Sequence, residues 1–305
     1  MSLQFIMGNS GSGKSYCLYD TVVREAIENP DKNYLVIVPE QFTMQTQKDL
    51  CLAHPKGGIM NIDVLSFGRL AYRVFEEVGQ DARVVLDDEG KNLVLRKIAG
   101  ECEKDLKVFK GNLKKQGYIS EVKSVLSEFA QYGVDFERLD DFMKEVPPES
   151  YLHYKLDDIR TIYEKFEEYL SEKYITKEEM LDVLSDAVPY SDILKGSVVA
   201  MDGFTGFTPV QNRLIGELFS VCEKVMITVT MDGRENPYVY EHPYQIFALG
   251  KQMVTSLMKI AGEKKTEIEE PICLFERPVY RFRDCSEMAF LETELFRYSG
   301  AKYNG

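Results

Sequence analysis

The stretch Gly8-Asn9-Ser10-Gly11-Ser12-Gly13-Lys14-Ser15 decides the fold expected of this chain. It matches the pattern G-x-x-x-x-G-K-[ST] in full. An apolar run at residues 3–7 precedes it, and a helical pattern from residue 14 to residue 28 follows it. A strand, a glycine-rich loop and a helix in this order form the context in which the pattern cradles phosphate. The stretch therefore predicts a phosphate-binding loop.

The chemistry of phosphate binding explains this spacing. Glycines let successive backbone N–H groups converge on an anion without side-chain clashes, and the N-terminus of the following helix favours negative charge. Lys14 should reach the β- and γ-phosphates of ATP, and the Ser15 hydroxyl should bind Mg²⁺. We expect the nucleotide to be held by the whole loop: Gly8, Ser10, Gly11, Ser12, Gly13, Lys14 and Ser15.

Strand and helix patterns alternate after this loop. A continuous apolar run at residues 34–38 predicts a strand that is buried on both faces, and residues 62–66 predict a third strand. Helical patterns at residues 43–50 and 68–78 follow the two strands. Because parallel strands need crossover connections, strands joined by helices predict a parallel sheet.

From residue 87 to residue 194, helical periodicity replaces the strand-like runs. Ile159, Ile162 and Phe166, for example, fall on one face of a helix. This segment predicts an all-helical insertion. Strand-like runs then return at residues 198–201, 224–230 and 279–282, interspersed with helical patterns at 210–219, 247–260 and 288–298 and a charged turn region at 263–270.

The expected fold class is therefore α/β, a P-loop NTPase parallel sheet with a large all-helical insertion. The expected parts are a first sheet part that carries the loop, the insertion, a second sheet part, and a short C-terminal segment. Their predicted bounds are residues 1–86, 87–194, 195–278 and 279–305.

An acid at the end of a neighbouring strand completes the Mg²⁺ site of such NTPases. Asp202 follows the run at residues 198–201 and fits that role. The next residue, Gly203, has no side chain that could polarise a water molecule. General-base assistance is worth about 10²–10⁴ in rate, so the sequence predicts nucleotide binding with weak or no hydrolysis.

Composition narrows the function class. The chain has 37 Lys plus Arg against 50 Asp plus Glu, a net charge of −13, which argues against a free-standing non-specific DNA-binding domain. It shows no secretory signal and no apolar run of the ~20 residues that span a membrane. The six cysteines form no CxxC pair, so we expect separate buried thiols in a reducing, cytoplasmic location.

Several segments together resemble a known family. These are the phosphate loop, the run from Val38 to Thr43 (VPEQFT), the run from Val64 to Leu70 (VLSFGRL), and the run from Met201 to Gln211 (MDGFTGFTPVQ) behind a long helical insert. The order is similar to the N-terminal part of UvrD-like superfamily 1 helicases, and more closely to the AddB components of bacterial AddAB helicase–nucleases. This resemblance implies that residues 1–86 and 195–278 form one RecA-like domain interrupted by the insertion, and that residues 279–305 begin a truncated second RecA-like domain. The resemblance covers nearly the whole chain and implies an N-terminal fragment.

The resemblance implies an ATP-binding, helicase-like module of a DNA helicase/exonuclease that acts in double-strand break repair and recombination. It implies a heterodimer with a motor/nuclease partner, the AddA component, and DNA as a further partner. Phe42, Phe67 and Arg69 are the candidate DNA contacts. The nuclease acids and the cysteines of an iron–sulfur cluster are expected only in a C-terminal part beyond this sequence.

Departures from active helicases imply a regulatory module. Active members carry Asp-Glu where this chain has Asp202-Gly203, and no Gly-Asp-x-x-Gln-Ser segment follows Thr230. We expect ATP to bias a closure that alters contacts with DNA. Two alternatives remain open: a small-molecule kinase, which the large acidic insert disfavours, and a non-catalytic assembly module with a relic phosphate loop.

Overall fold

The computed structural model describes residues 1–79, 84–112, 115–171, 173–297 and 299–304. Within them the chain forms two compact units. The first unit comprises Met1–Val78, Ala187–Phe207 and Asn212–Gly305, and the second comprises Gly79–Asp186 and Thr208–Gln211. Along the described residues the strands are β1 (Ser2–Gly8), β2 (Tyr34–Ile37), β3 (Ile62–Leu65), β4 (Val84–Leu86), β5 (Tyr174–Thr176), β6 (Val198–Met201), β7 (Lys224–Thr230), β8 (Glu267–Ile268) and β9 (Ile272–Leu274).

The helices alternate with these strands in the first unit and dominate the second. In chain order they are α1 (Lys14–Glu28), α2 (Thr43–Ala53), α3 (Phe67–Val78), α4 (Asp88–Glu101), α5 (Gln116–Tyr132), α6 (Phe136–Glu145), α7 (Tyr151–Leu170), α8 (Glu179–Ala187), α9 (Pro209–Val221), α10 (Ala248–Lys264) and α11 (Ser286–Glu294), with short 3-10 turns at Glu40–Phe42, Val188–Tyr190 and Tyr280–Phe282.

A parallel sheet forms the centre of the first unit. Its order is β3-β2-β6-β7-β1-β8, and β9 also pairs with β1. All of its pairings are parallel. Because helices cover both faces of a parallel sheet, its central strands are apolar throughout, and every residue of β2 and β6 is buried. The α/β class with a parallel sheet is confirmed.

The register of this sheet brings three strand ends to one edge. Ile6 of β1 is level with Thr228 of β7, and Met201 of β6 is level with Ile227. The residue after β6, Asp202, is therefore level with Thr228. Since β1 extends three residues beyond the end of β6 at this edge and continues into the glycine-rich loop, the loop and Asp202 share the carboxyl edge of the sheet.

Helices α1 and α2 cover one face of the sheet. Leu18 and Val22 of α1 and Leu50 of α2 pack against alternate residues of the strands, such as Val36 and Ala200. The spacing along α1 places its apolar residues on one side, as expected for a helix that lies on a sheet. This packing fixes the first turn of α1, which carries Lys14, against the sheet edge.

The second unit has its own apolar core, built mainly from α4, α5 and α7. Inside it, the carboxylate of Asp158 accepts hydrogen bonds from the backbone N–H groups of Lys107, Val108 and Phe109 at 2.8, 2.7 and 2.7 Å. These bonds satisfy a loop that has no helical or strand partners. The core and this buried carboxylate explain how the segment folds as a unit.

Four local predictions need correction. The insertion is not all helical, because β5 lies within it and pairs with β4 through short runs of β-branched and aromatic side chains. The strand predicted at residues 279–282 is wrong, since a 3-10 turn occupies Tyr280–Phe282. Strand β9 was not predicted, and β8 lies inside the predicted turn region at 263–270. Three-residue strands carry too short a pattern to be found from sequence.

The cysteines and the helices complete this comparison. All six cysteines are free, but only Cys102 and Cys222 are buried. Cys273 is exposed and the other three are partly exposed, so the expectation of buried thiols holds for two of the six. Residue ranges 80–83 and 113–114, which belong to the first predicted domain and the insertion, lie outside the described residues. Among the helices that the structure describes, none combines the length and the apolar character that crossing a bilayer requires.

A partly buried acid, Glu167, gives the second unit a pH-dependent stability. Burial first, and then the neighbouring Glu179 carboxylate, raise the pKa of Glu167 to about 7. The folded chain therefore keeps this proton at pH values where the unfolded chain, with an ordinary pKa of ~4.3, has lost it. The resulting stability is present below the unfolded pKa and is lost as the pH rises through 7.

Replacing this acid tests the assignment. We expect Glu167→Gln to raise the midpoint of thermal unfolding by roughly 2–4 °C at pH 8, because a buried charge is removed, and to leave it unchanged at pH 5. Circular dichroism at the two pH values measures the effect. Glu168→Gln, which changes an exposed acid of the same helix, is the control and should have no effect at either pH. Equal effects of Glu167→Gln at both pH values would contradict the prediction.

Candidate phosphate-binding site

The glycine-rich loop closes on itself between β1 and α1. The Ser12 N–H donates to the Asn9 carbonyl at 3.1 Å, and the Met231 N–H, just beyond β7, donates to the Gly8 carbonyl at 2.9 Å. Gly11 has a φ of 84°, in the left-handed region where a side chain is strained. The loop thus takes a conformation that its glycines permit and that the neighbouring strand holds in place.

Lys14 extends its ammonium group over this loop. Its Nζ donates to the carbonyls of Gly8 and Asn9 at 3.0 and 2.8 Å. Since an ammonium carries three donors, one remains for another acceptor. Burial lowers the pKa of Lys14 to about 8, an effect that the Asp202 charge opposes and the Arg281 charge reinforces. The side chain is still mostly protonated at neutral pH.

Asp202 is a buried carboxylate held only by neutral donors. Its side chain is 7% exposed. Oδ2 accepts from the Tyr19 hydroxyl at 2.7 Å, and Oδ1 accepts from the Thr228 hydroxyl at 2.6 Å. Within the described part of the chain no cation makes a salt bridge with it, although buried charges are normally paired or bound to a metal. Lys14 acts on this charge only through space.

A cavity of about 320 Å³ opens beside the loop. This volume lies in the range of small-molecule sites, ~300–1,000 Å³. Its walls combine the first turn of α1 with residues from a distant part of the chain. They are Gly11, Gly13, Lys14, Ser15, Tyr16, Tyr280 and Arg281.

Arg281 lies directly on Gly11. Its backbone N–H donates to the Gly11 carbonyl at 3.0 Å. A Cβ atom at position 11 would come within 2.8 Å of the Arg281 Cβ, so only glycine fits beneath this arginine. The exposed Arg281 guanidinium and the Lys14 ammonium are therefore two positive groups at one cavity. Their convergence favours an anionic ligand.

Residues 275–297, which we name the C-terminal strap, connect this arginine to the rest of the unit. The strap follows β9 and contains α11. From α11, Glu292 accepts a hydrogen bond from the Asn9 side chain at 2.7 Å, so the strap also touches the start of the loop. The strap thus contacts the glycine-rich loop at two positions, Asn9 and Gly11.

An ionic cluster around Asp232 fastens the strap. Asp232 is 2% exposed, and its Oδ2 lies 2.7–2.8 Å from the guanidiniums of three residues: Arg234, Arg277 and Arg297. Burial acts to raise the pKa of Asp232, but hydrogen bonds and charges from Arg234 and Arg277 hold it well below its usual range. Two of the three arginines belong to the strap, so this carboxylate ties the strap to the end of β7.

The predicted loop residues lie together, with different surroundings. Gly8 and Asn9 are buried, whereas Ser10 and Ser15 are exposed. The Ser12 Oγ is buried and has no hydrogen-bond partner in the described structure. No hydrogen bond between Ser15 and Asp202 occurs among the described residues; the hydroxyls of Tyr19 and Thr228 hold that acid instead. The loop and Asp202 nevertheless share one edge of the sheet.

The three candidate DNA contacts lie at the carboxyl ends of β2 and β3. Phe42 is 48% exposed and lies beside Gly203, where a Cβ atom would be 3.8 Å from its ring. Phe67 is 8% exposed, with its ring centroid 5.4 Å from that of Phe204 and 6.4 Å from that of Phe207. Burial in this aromatic cluster favours a packing role for Phe67.

Arg69 differs from Arg73 in the surroundings of its side chain, as far as the described residues show. It is exposed in the first turn of α3, and its side chain has no ion-pair partner among the described residues. Arg73, one turn later, is paired with Asp63 at 3.0 Å. Arg69 and Phe42 are therefore the two predicted DNA contacts whose side chains are available at the surface.

Sequence reasoning missed several residues of this site. Tyr280 and Arg281 belong to the strap and line the cavity. They were missed because residues 279–282 were predicted to form a strand. Thr228 could have been found, since it is a hydroxyl residue in an otherwise apolar strand and level with Asp202. Asp232 could also have been found, because it follows β7 much as Asp202 follows β6.

Comparison with known proteins adds to this geometry. A family profile described as "ADDB, N-terminal" matches residues 5–292. The chain belongs to the AddB N-terminal family. The match includes the loop, Asp202 and most of the strap, so the whole candidate site lies within the AddB N-terminal family region.

Relatives of similar sequence carry one name, that of the second (B) component of an ATP-dependent helicase/deoxyribonuclease. Such proteins are 44% identical over 302 residues in Lachnoclostridium phytofermentans and 34% identical over 302 residues in Clostridium acetobutylicum. A third, from Thermoanaerobacter pseudethanolicus, is 36% identical over 300 residues. These alignments cover 98% of this chain but only 25–26% of each relative. The chain thus spans about a quarter of the length of these curated relatives.

Removing the charge at the centre of the ionic cluster tests how the strap is fastened. We expect Asp232→Asn to lower the free energy of unfolding by about 2–4 kcal/mol, because it leaves three guanidiniums without their common carboxylate; partial exposure of Arg234 and Arg277 keeps the loss below that of a fully buried pair. Urea denaturation measures the stability, and tryptic cleavage after two arginines of the strap, Arg281 and Arg297, should accelerate.

The strap itself offers a matched control. Asp284 is paired with Arg283 at 3.5 Å but has a side chain that is 92% exposed. Asp284→Asn should change neither the stability nor the cleavage rate. Unchanged cleavage of Asp232→Asn after the two strap arginines would show that the cluster does not fasten the strap.

Proposed function

We propose that this chain is the ATP- and Mg²⁺-binding, helicase-like N-terminal module of a DNA helicase/exonuclease that acts in double-strand break repair and recombination in the cytoplasm. Its first unit would be a P-loop NTPase (RecA-like) fold, with the second unit as the insertion. The module would be regulatory, with weak or no ATP hydrolysis of its own. It would form a heterodimer with a motor/nuclease partner, the AddA component, since the relatives are named as one component of a larger enzyme.

One observation carries the nucleotide part of this proposal. The cavity beside the loop is lined by the backbone of Gly11 and Gly13 and by two cationic side chains, Lys14 and Arg281. In a chain of net charge −13, this concentration of positive groups selects an anion. The helix N-terminus at Lys14 adds a favourable dipole, so the cavity suits the phosphates of a nucleotide.

The residues at this sheet edge also fit Mg²⁺. A hydroxyl and a carboxylate are the oxygen ligands that Mg²⁺ prefers beside substrate phosphates. The Ser15 hydroxyl is exposed at the cavity, and Asp202 is a buried carboxylate without a cationic partner in the described structure. Bound Mg²⁺ would supply charge neutralisation of the phosphates. Ser15 and Asp202 are the residues that would hold it, directly or through water.

The same edge explains the weak hydrolysis that we propose. Gly203 follows Asp202 and lies against Pro39 and Phe42, with a φ of 80°. A general base at this position would need a side chain in a left-handed conformation that disfavours one. The chain therefore holds the nucleotide at a site that lacks the water-activating group of a fast ATPase.

DNA would contact the opposite half of the same sheet edge. Phe42 and Arg69 lie beyond β2 and β3, and three strand spacings of ~4.8 Å separate β2 from β1, about 14 Å in total. Aromatic rings stack on bases, and guanidiniums bind phosphates. Nucleotide closure at one half of the edge could thus alter DNA contacts at the other. Phe67 would act by packing beneath this surface.

Loss of Lys14 tests the nucleotide site. We expect the 305-residue chain to bind a fluorescent ATP analogue with Mg²⁺, and Lys14→Ala to weaken this binding at least about tenfold, because the ammonium is a charged contact to the phosphates. Turnover by the natural chain should stay far below typical enzyme values of ~10 s⁻¹. Equal and poor binding by both proteins would support a relic loop instead.

The pH dependence of the same titration is an independent test of the role of Lys14. Bound phosphate stabilises the protonated form of Lys14, whose pKa is about 8 in the free protein. Binding therefore takes up a proton above this pH, and affinity should fall by up to about tenfold per pH unit between pH ~8 and ~10. Lys14→Arg keeps its charge over this range and should show a flat, weaker profile. A falling profile in Lys14→Arg would assign the titration to another group.

Salt titration of oligonucleotide binding tests the DNA surface. We expect Arg69→Ala to weaken binding of single-stranded DNA about 3–10-fold and to reduce the slope of log K against log salt by about 0.7, the value for one phosphate contact to a single strand. Arg73→Ala is the matched control, because that arginine is already engaged by Asp63. An equal loss in both variants would show that the effect is not specific to Arg69.

A further inference from the structure

Tyr19 places a phenol group beside the acid of the proposed nucleotide site. It lies in the second turn of α1, one turn beyond Ser15, and is 9% exposed. Its hydroxyl donates to Asp202 Oδ2 at 2.7 Å and lies 3.2 Å from the Thr46 hydroxyl of α2. Tyr19 is therefore the one described residue that hydrogen-bonds both Asp202 and α2.

Counting protons fixes the direction of these bonds. A phenol has a single O–H donor, and the bond to the Asp202 carboxylate uses it, because an ionised carboxylate can only accept. The Thr46 hydroxyl must then donate to the Tyr19 oxygen. On the other side of the acid, Thr228 donates to Oδ1. The Thr46 hydroxyl thus donates to Tyr19, and the Tyr19 hydroxyl donates to one oxygen of Asp202. The Thr228 hydroxyl donates to the other oxygen.

The hydroxyl of Tyr19 has a role that its ring does not share. The ring packs in the apolar cluster between α1 and the sheet, and a phenylalanine would fill the same space. Burial, followed by the charge of Asp202, raises the pKa of Tyr19, so the phenol stays protonated and remains a donor. Its only described partners are Asp202 and Thr46, which makes the orientation of Asp202 the feature that this hydroxyl controls.

We propose that Tyr19 is a positioning residue for the metal half of the nucleotide site: with Thr228, it fixes the orientation in which the Asp202 carboxylate faces a Mg²⁺–nucleotide. This inference rests on the proposed function. Mg²⁺ demands near-ideal octahedral geometry, so a carboxylate that reaches it, directly or through water, must be held in one rotamer. Neutral donors hold the carboxylate and leave its negative charge for the cation, whereas an arginine would cancel that charge.

The first experiment separates the metal-dependent part of nucleotide binding from the rest. A fluorescent ATP analogue is titrated into the 305-residue chain in Mg²⁺ and in EDTA. We expect Tyr19→Phe to reduce the Mg²⁺-dependent gain in affinity by about tenfold, the loss typical of one hydrogen bond to a charged group, and to leave the affinity in EDTA within about twofold. An equal loss in both buffers would overturn the positioning role.

A matched control comes from the second unit. Tyr163 is also 9% exposed, and its hydroxyl donates to the Val134 carbonyl at 3.3 Å. Tyr163→Phe removes a buried phenol hydroxyl of the same kind and should not change the Mg²⁺-dependent gain. Thermal unfolding of both variants shows that each is folded at the temperature of the titration.

A double-mutant cycle tests whether Tyr19 acts through Asp202. In an Asp202→Asn background the Mg²⁺-dependent gain should already be lost, and Tyr19→Phe should then have no further effect. Thr228→Val should resemble Tyr19→Phe, and Thr228→Ser, which restores the hydroxyl, should recover the gain. Additive losses of Tyr19→Phe and Asp202→Asn would overturn the proposal.

A spectroscopic measurement does not depend on nucleotide. In chain labelled with ¹³C at the tyrosine ζ carbon, the Tyr19 signal is identified by its loss in Tyr19→Phe, and Asp202→Asn should shift that signal because the phenol loses its charged acceptor. An unshifted signal would overturn the hydrogen bond. If Tyr19 shifts but the natural chain binds nucleotide no better than Lys14→Ala, the proposed function fails while the positioning contact stands.

Discussion

The parallel register of the first unit is the constraint on which the candidate site depends. Because β7 lies between β1 and β6, and all three run in the same direction, their carboxyl ends meet at one edge of the sheet. That edge gathers the glycine-rich loop, Asp202 and Asp232, which are far apart in sequence. A slip of one residue in the pairing of β6 with β7 would turn Asp202 away from Thr228, since neighbouring residues of a strand face opposite sides.

The two acids at this edge are in opposite electrostatic states. Asp232 is surrounded by three guanidiniums, and its charge is paired with arginines that include two from the C-terminal strap. Asp202 is nearly as buried but accepts only from hydroxyls. Coulomb attraction in a poorly solvated site is several times stronger than in water, so the neighbours of each acid decide what it can do. The acid without guanidinium neighbours, Asp202, is the one to which the proposed function assigns an external cation.

Local sequence patterns were sufficient to predict those parts of the site that each lie within one short stretch of the chain. The loop, the helix behind it and Asp202 each sit in a short pattern with a strong physical preference, and α1 begins and ends where the sequence predicted. Arg281 was out of reach, because its position over Gly11 depends on the ionic cluster rather than on its own neighbours. The burial of Phe67 was likewise set by Phe204 and Phe207, which approach it only in the folded chain.

The C-terminal strap links the shape of the glycine-rich loop to a distant part of the chain. Glu292 holds Asn9 and Arg281 holds Gly11, so two points of the loop are tethered to a segment that lies far along the chain. These contacts are hydrogen bonds, which form only within a narrow range of distance and angle, so a small displacement of either partner weakens them. Movement of α11 would therefore loosen both held points of the loop together.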